Sequence, residues 1–87
     1  MDKNELRNSL DNFHKELEKS TSIGTDDRKR LENLEAKMRG MLEVDEVKHD
    51  DSMIEQLDHS IHQFEQTHPD LTLTIGHLLD ILSQEGI

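Results

Sequence analysis

The feature that most constrains the fold of this chain is a helical apolar repeat in its C-terminal half. From Ile54 to Leu82, large apolar residues recur at alternating steps of three and four, with His68 taking one place. Such steps put side chains on one stripe of an α-helix, so this half is predicted to be helical. The repeat runs through Pro69, whose missing N–H and ring disfavour a helix interior. Two interpretations follow, one long kinked helix or two helices, and we favour a break.

A break at Pro69 predicts helices over about residues 53–67 and about residues 69–84. His68 and Pro69 are the predicted hinge residues, with His68 as cap and Pro69 at the first helical position. Because a full reversal usually needs a few loop residues, we expect the two pieces to be roughly collinear or bent into an L.

The N-terminal half is predicted to form a helical hairpin. Apolar residues at helical spacing predict helices over about residues 3–19 and about residues 26–43. The link between them is short enough for antiparallel packing. The predicted fold class is therefore all-α, a single domain over residues 1–87 with three to four helices and coiled-coil-like packing.

Composition excludes several classes of protein. The chain has no cysteine, which excludes disulfide scaffolds and cysteine-ligated metals. A formal net charge of −10 with two aromatic residues is unsuited to nucleic-acid phosphates. No apolar run is long enough to span a membrane, and no secretory signal follows the first residues. We expect a cytoplasmic protein without a cofactor that binds neither nucleic acid nor membrane.

Charge is divided unevenly between the two halves. Residues 1–49 hold ten basic and twelve acidic side chains, whereas residues 50–87 hold eight acids and no Lys or Arg. A solvated acidic face keeps a helical protein soluble. The same face can also dock on a basic partner, such as the hairpin of a second chain, which is the acidic-regulator hypothesis.

Helix lengths predict self-association. An 18-residue helix spans about 27 Å, whereas an uninterrupted C-terminal stripe would span about 48 Å. The hairpin is then too short to cover the stripe, and a chain with 31% apolar residues has a thin core. Either Pro69 bends the last helix back onto the hairpin, which gives a compact monomer, or another chain covers the stripe. We favour the second alternative and expect a homodimer. The predicted interface residues are Leu71, Ile75, Leu78, Leu79 and Leu82.

A second kind of site is suggested by three residues of the third predicted helix. Glu55, His59 and His62 stand at positions i, i+4 and i+7 and share one helix face, as ligands of zinc or nickel would. That face points away from the apolar stripe and towards solvent. Surface histidines among carboxylates are common in acidic proteins, so metal binding is kept as an alternative hypothesis.

Catalytic motifs are missing from the sequence. It contains no Gly-rich phosphate loop and no Gly-x-Ser-x-Gly elbow, and its last 38 residues offer no Lys or Arg to hold an anion. We expect no enzyme. The leading hypothesis is a non-enzymatic interaction module of unknown pathway that self-associates through its C-terminal helix.

Several motifs carry a resemblance to a known family. They are Glu5-Leu6-Arg7, Leu10, the run from Phe13 to Leu17, the Asp-rich start of the second helix, Phe64-Glu65 with His68-Pro69 and Leu71, and the terminal Gly86-Ile87. On these residues the chain resembles a family of small bacterial helical proteins classified as a domain of unknown function. The resemblance implies a short, cytoplasmic, bacterial, mainly helical protein, and it brings no established activity or site residue.

Overall fold

The computed structural model describes residues 3–43 and 51–84, which form four α-helices. The helices are α1 (Lys3–Lys19), α2 (Thr25–Met41), α3 (Asp51–Phe64) and α4 (Pro69–Gln84). No strand occurs among these described residues. The prediction of an all-α fold with three to four helices is therefore confirmed.

The apolar repeat is broken between Phe64 and Pro69. The His68 N–H donates to the Phe64 carbonyl at 2.7 Å, and the His68 carbonyl accepts the Thr72 N–H at 3.1 Å in the first turn of α4. Pro69 holds the first position of α4, where a missing N–H costs no helical hydrogen bond. Residues 65–68 are thus a complete turn between two helices, and α3 ends three residues before the predicted limit of 67.

The expectation that α3 and α4 are collinear or bent into an L is wrong. α4 packs along both α3 and α1, and α1 packs along α2. In the middle of α4, a Cβ placed on Gly76 would lie 4.0 Å from the Ile61 Cδ1 of α3. The physical reason is that the residues from 65 to 68 suffice for a reversal, and folding back removes the apolar face of α4 from water.

Side-chain hydrogen bonds at both ends of α1 define the direction of α4. Ser9, in the first half of α1, bonds the His77 Nδ1 in the middle of α4 at 3.1 Å. Ser22, which follows α1, bonds the His68 Nε2 just before α4 at 2.8 Å. The two helices are therefore antiparallel. α1 and α2 are antiparallel as well, and the described residues form an up-and-down bundle measuring 36 × 20 × 19 Å.

One apolar cluster at the centre of the bundle receives side chains from every helix. Its helical members are Leu6, Leu10, Phe13 and Leu17 of α1, Leu31, Leu34 and Met38 of α2, Met53, Leu57 and Phe64 of α3, and Leu71, Ile75, Leu78, Ile81 and Leu82 of α4. With the repeat folded in two, each helix has 14 to 17 residues, or about 21–26 Å. The premise that the hairpin is too short to cover the stripe is therefore wrong.

Replacing Leu78 tests this packing. Leu78 is completely buried against the other helices, so Leu78→Ala should lower the free energy of unfolding by about 2–5 kcal/mol. Leu73→Ala is the matched control, because Leu73 lies on the same helix and is exposed; its effect should stay within about 0.5 kcal/mol. Urea unfolding followed by circular dichroism measures both. Equal effects of the two substitutions would contradict the buried position of Leu78.

Candidate functional site

The C-terminal helices and the turn between them present an acidic surface. Between residues 51 and 84 there are six carboxylates and no Lys or Arg, and all six carboxylate residues are exposed. They are Asp51, Glu55, Asp58, Glu65, Asp70 and Asp80. Histidines are the only side chains of residues 51–84 that can carry a positive charge, and Arg30 of α2 lies beside Glu55. Away from Arg30, this surface attracts cations and repels phosphate-bearing molecules.

An open groove of about 510 Å³ runs along this surface between α3 and α4. It is called the α3–α4 groove below. Its lining residues are Ile61 of α3, Glu65 of the turn, and Thr72, Leu73, Gly76, His77, Leu79 and Asp80 of α4. Apolar side chains and acidic ones therefore share one concave surface, which suits a ligand that is partly apolar and partly basic.

Two features of the α3–α4 groove expose apolar surface to solvent. Leu73 is 74% exposed, and it is the one large apolar side chain in the described ranges that is exposed. Gly76 contributes no side chain to the groove floor, although an added Cβ would make only an ordinary contact with Ile61. A glycine inside a helix costs roughly 1 kcal/mol relative to alanine. Gly76 therefore lowers the stability of α4 and leaves the groove without a side chain at this position.

The predicted interface residues divide into two sets. Leu71, Ile75, Leu78 and Leu82 are at most 1% exposed and lie in the core of their own chain. Leu79 is partly exposed and lines the α3–α4 groove. The four buried residues are therefore inaccessible to a second chain in this fold, because α1 and α3 already cover that face of α4.

The predicted hinge residues join the two loops at one end of the bundle. The His68 ring bonds Ser22 at 2.8 Å through Nε2 and Thr67 at 2.9 Å through Nδ1. The ring also meets Phe64 edge to face, with 5.8 Å between ring centroids. His68 thus ties the α1–α2 loop to the α3–α4 turn.

The candidate metal ligands do not gather around one point. In residues 3–43 and 51–84, no group of three or more His, Cys, Asp or Glu is arranged to hold a metal ion. Glu55 and His59 border a small surface pocket beside Arg30, whose positive charge opposes a bound cation. His62 instead faces Asp58, with 3.7 Å between Nε2 and the carboxylate.

A contact that the sequence analysis missed joins Ser9, His77 and Glu5. The Ser9 hydroxyl lies 3.1 Å from the His77 Nδ1, and the His77 Nε2 lies 3.4 Å from a Glu5 carboxylate oxygen. The order of groups resembles a Ser-His-acid triad. Ser9 is only 2% exposed, however, so a substrate has no path to its oxygen. The contact therefore joins α1 to α4. No local sequence signal predicts it, because its partners are far apart in the chain.

A second polar network joins α1 to α2. The Glu35 carboxylate is nearly buried and accepts hydrogen bonds from Arg39 Nε at 2.8 Å and from the His14 ring at 3.2 Å. Arg39 also reaches Asp11 at 3.1 Å, and His14 reaches Glu18 at 2.9 Å. A carboxylate taken out of water needs such partners, and here both helices supply them.

This network changes the pKa values of its cations. The hydrogen bond and the negative charge of Glu35 raise the pKa of His14, and Glu18 adds to the effect. Partial burial lowers the pKa of Arg39, but the hydrogen bonds and charges of Glu35 and Asp11 together outweigh it and raise the pKa. Both cations are therefore favoured in their charged forms beside Glu35.

The fold and these surfaces define a small all-helical protein whose most distinctive surface is an acidic groove. No helix in the described part of the chain is both long and apolar enough to cross a membrane. The chain belongs to the family described as a domain of unknown function (DUF4404), which matches residues 6–87. The resemblance to an uncharacterised family is thereby confirmed, while a bacterial origin stays a prediction. Searches of curated proteins and of solved structures give no match.

The pKa of His14 predicts a pH dependence of stability. A raised pKa in the folded state means that the contribution of His14 is complete below its ordinary value of 6.5 and is lost as the pH rises through the folded value. We expect His14→Gln to remove this component. Urea unfolding at about pH 5.5 and about pH 8.5 should give a smaller pH-dependent loss in the variant than in the parent chain.

The control for this measurement is His59→Gln on α3. His59 is exposed and makes no ion pair with described residues, so the pH profile of this variant should follow that of the parent chain. If His14→Gln and the parent chain lose the same stability between the two pH values, the pairing of His14 with Glu35 contributes nothing.

Proposed function

We propose that this protein is a non-enzymatic interaction module that binds a basic protein partner through its acidic C-terminal half. The observation that carries the proposal is the segregation of charge along the chain, because residues 51–84 hold six exposed carboxylates and no Lys or Arg. Of the basic residues of the other half, Arg30 lies beside Glu55. Complementary charge steers association and selects between partners.

The same charge disfavours other classes of ligand. Nucleic acids and anionic lipid surfaces bind through clustered Lys and Arg, whereas the basic residues of this chain all precede residue 49. On that half, Arg39 is engaged by Glu35 and Asp11. A binding role is also better supported than catalysis, because the hydroxyl of the triad-like Ser9 is buried.

Self-association is the second candidate. In the folded chain, fewer of the predicted interface residues can reach a second copy, because Leu79 is the one among them that is partly exposed. A symmetric dimer through the α3–α4 groove would also bring Glu65 and Asp80 of one copy close to the same carboxylates of the other, and like charges at an interface oppose binding. Metal binding by Glu55, His59 and His62 has no supporting geometry in the described residues, and titration calorimetry with zinc and nickel remains its test.

Charge neutralisation tests the proposed function. We would compare the parent chain with Asp58→Asn/Glu65→Gln/Asp80→Asn on the acidic surface and with Asp26→Asn/Glu32→Gln/Glu43→Gln on the hairpin as a matched control. Each variant loses three exposed negative charges. The measurement is cross-linking in living cells followed by mass spectrometry of the captured proteins.

The expected result is a basic partner that cross-links to the parent chain and to the hairpin control. Its yield should fall by roughly tenfold in the acidic-surface variant, as the loss of several weak ion pairs implies. Equal capture by all three chains would contradict the proposal. If the chain cross-links only to other copies of itself and sediments with the mass of a dimer, self-association is the function and the basic-partner proposal is wrong.

A further inference from the structure

The α3–α4 groove has the shape and chemistry of a receptor for a helix. Three of its lining residues are large and apolar, Ile61, Leu79 and the exposed Leu73. The carboxylates of Glu65 and Asp80 line the same groove. From residue 72 to residue 80 the groove follows α4 for about 12 Å, or roughly two helical turns. An amphipathic helix fills such a groove with apolar residues spaced three or four apart.

Charge identifies which kind of helix fits. Among the described residues, no Lys or Arg lines the groove, and its acidic lining residues are Glu65 and Asp80. The third ionisable lining residue, His77, has both ring nitrogens directed to α1, at Ser9 and Glu5. A helix that lays apolar side chains on Ile61 and Leu79 brings its flanking positions against these carboxylates. Lys or Arg at those positions would be paired, whereas acidic residues would be repelled. A second copy of the same groove is therefore a poor occupant.

We infer that the α3–α4 groove receives a basic amphipathic helix of another protein, with its apolar face on Ile61, Leu73 and Leu79 and its basic residues beside Glu65 and Asp80. This inference rests on the proposed function and specifies where and how the partner binds. Gly76 has a defined part in it, because its missing side chain leaves the space between α3 and α4 that the incoming side chains occupy.

The probe is an 18-residue amphipathic helical peptide made of Leu and Lys, titrated into the full-length chain labelled with ¹⁵N. A peptide of the same composition in scrambled order, which cannot form an apolar face, is the control for non-specific attraction of charge. We expect amide shifts at Ile61, Leu73, Gly76 and Leu79 with the amphipathic peptide, and binding at least tenfold weaker with the scrambled one.

Glycine substitutions give a matched pair of variants. Gly76→Leu fills the groove floor, whereas Gly40→Leu makes the same change on α2, where nothing lies within 4 Å of an added Cβ. We expect Gly76→Leu to weaken peptide binding at least tenfold and Gly40→Leu to leave it unchanged.

Two further variants separate the apolar contribution from the charged one. Leu73→Asn, which changes an exposed side chain, should weaken peptide binding without altering the salt dependence of the affinity. Glu65→Gln/Asp80→Asn should make the affinity for the peptide less dependent on salt, because the two carboxylates that attract its Lys residues are removed.

Three outcomes would overturn the inference. Binding of the peptide to Gly76→Leu as tightly as to the parent chain would exclude the groove. Equal affinity for the amphipathic and the scrambled peptide would mean that charge alone accounts for the binding. Amide shifts in the groove that depend on protein concentration without peptide would make a second copy the occupant. If cellular cross-links still disappear on charge neutralisation while Gly76→Leu has no effect, the proposed function stands and only the groove assignment fails.

Discussion

The burial of α4 between α1 and α3 is the interaction on which the rest of this structure depends. α4 brings five apolar side chains into the core, more than any other helix, and it can do so only because the chain reverses direction over residues 65–68. Two hydrogen bonds stabilise this turn. The His68 N–H donates to the Phe64 carbonyl, and the His68 ring bonds the Ser22 hydroxyl. A local break at Pro69 therefore decides whether the apolar stripe faces another chain or its own.

Once α4 is buried, the surface divides into two chemically different halves. The α1–α2 side balances its charges through contacts such as the one between Glu35 and Arg39, which stabilise the fold. The α3–α4 side has carboxylates without Lys or Arg, and it contains the exposed Leu73. A surface that combines an excess of negative charge with accessible apolar area is better explained by binding than by stability.

Much of the fold was predictable because it depends on local periodicity. Helix α1 covers residues 3–19 and helix α4 covers residues 69–84, the same ranges that the spacing of apolar residues predicts. The break at Pro69 was predictable from the chemistry of proline. The direction of α4 was not, since a turn of a few residues allows several angles and only the total apolar area buried selects one. The candidate groove was missed for the same reason, because Ile61 and Leu79 become neighbours only after the reversal.

The sequence by itself determined which segments are helical and which side of each helix is apolar. It also determined that the acidic residues without Lys or Arg nearby in the sequence lie in the C-terminal half of the chain. These properties follow from the order of residues, since helical spacing is set by backbone geometry. Tertiary structure alone decided that Leu71, Ile75 and Leu78 are covered by their own chain. It also decided that Ser9 meets His77, and that Leu73 stays exposed beside a groove. Such contacts join residues distant in sequence, and no local pattern encodes them.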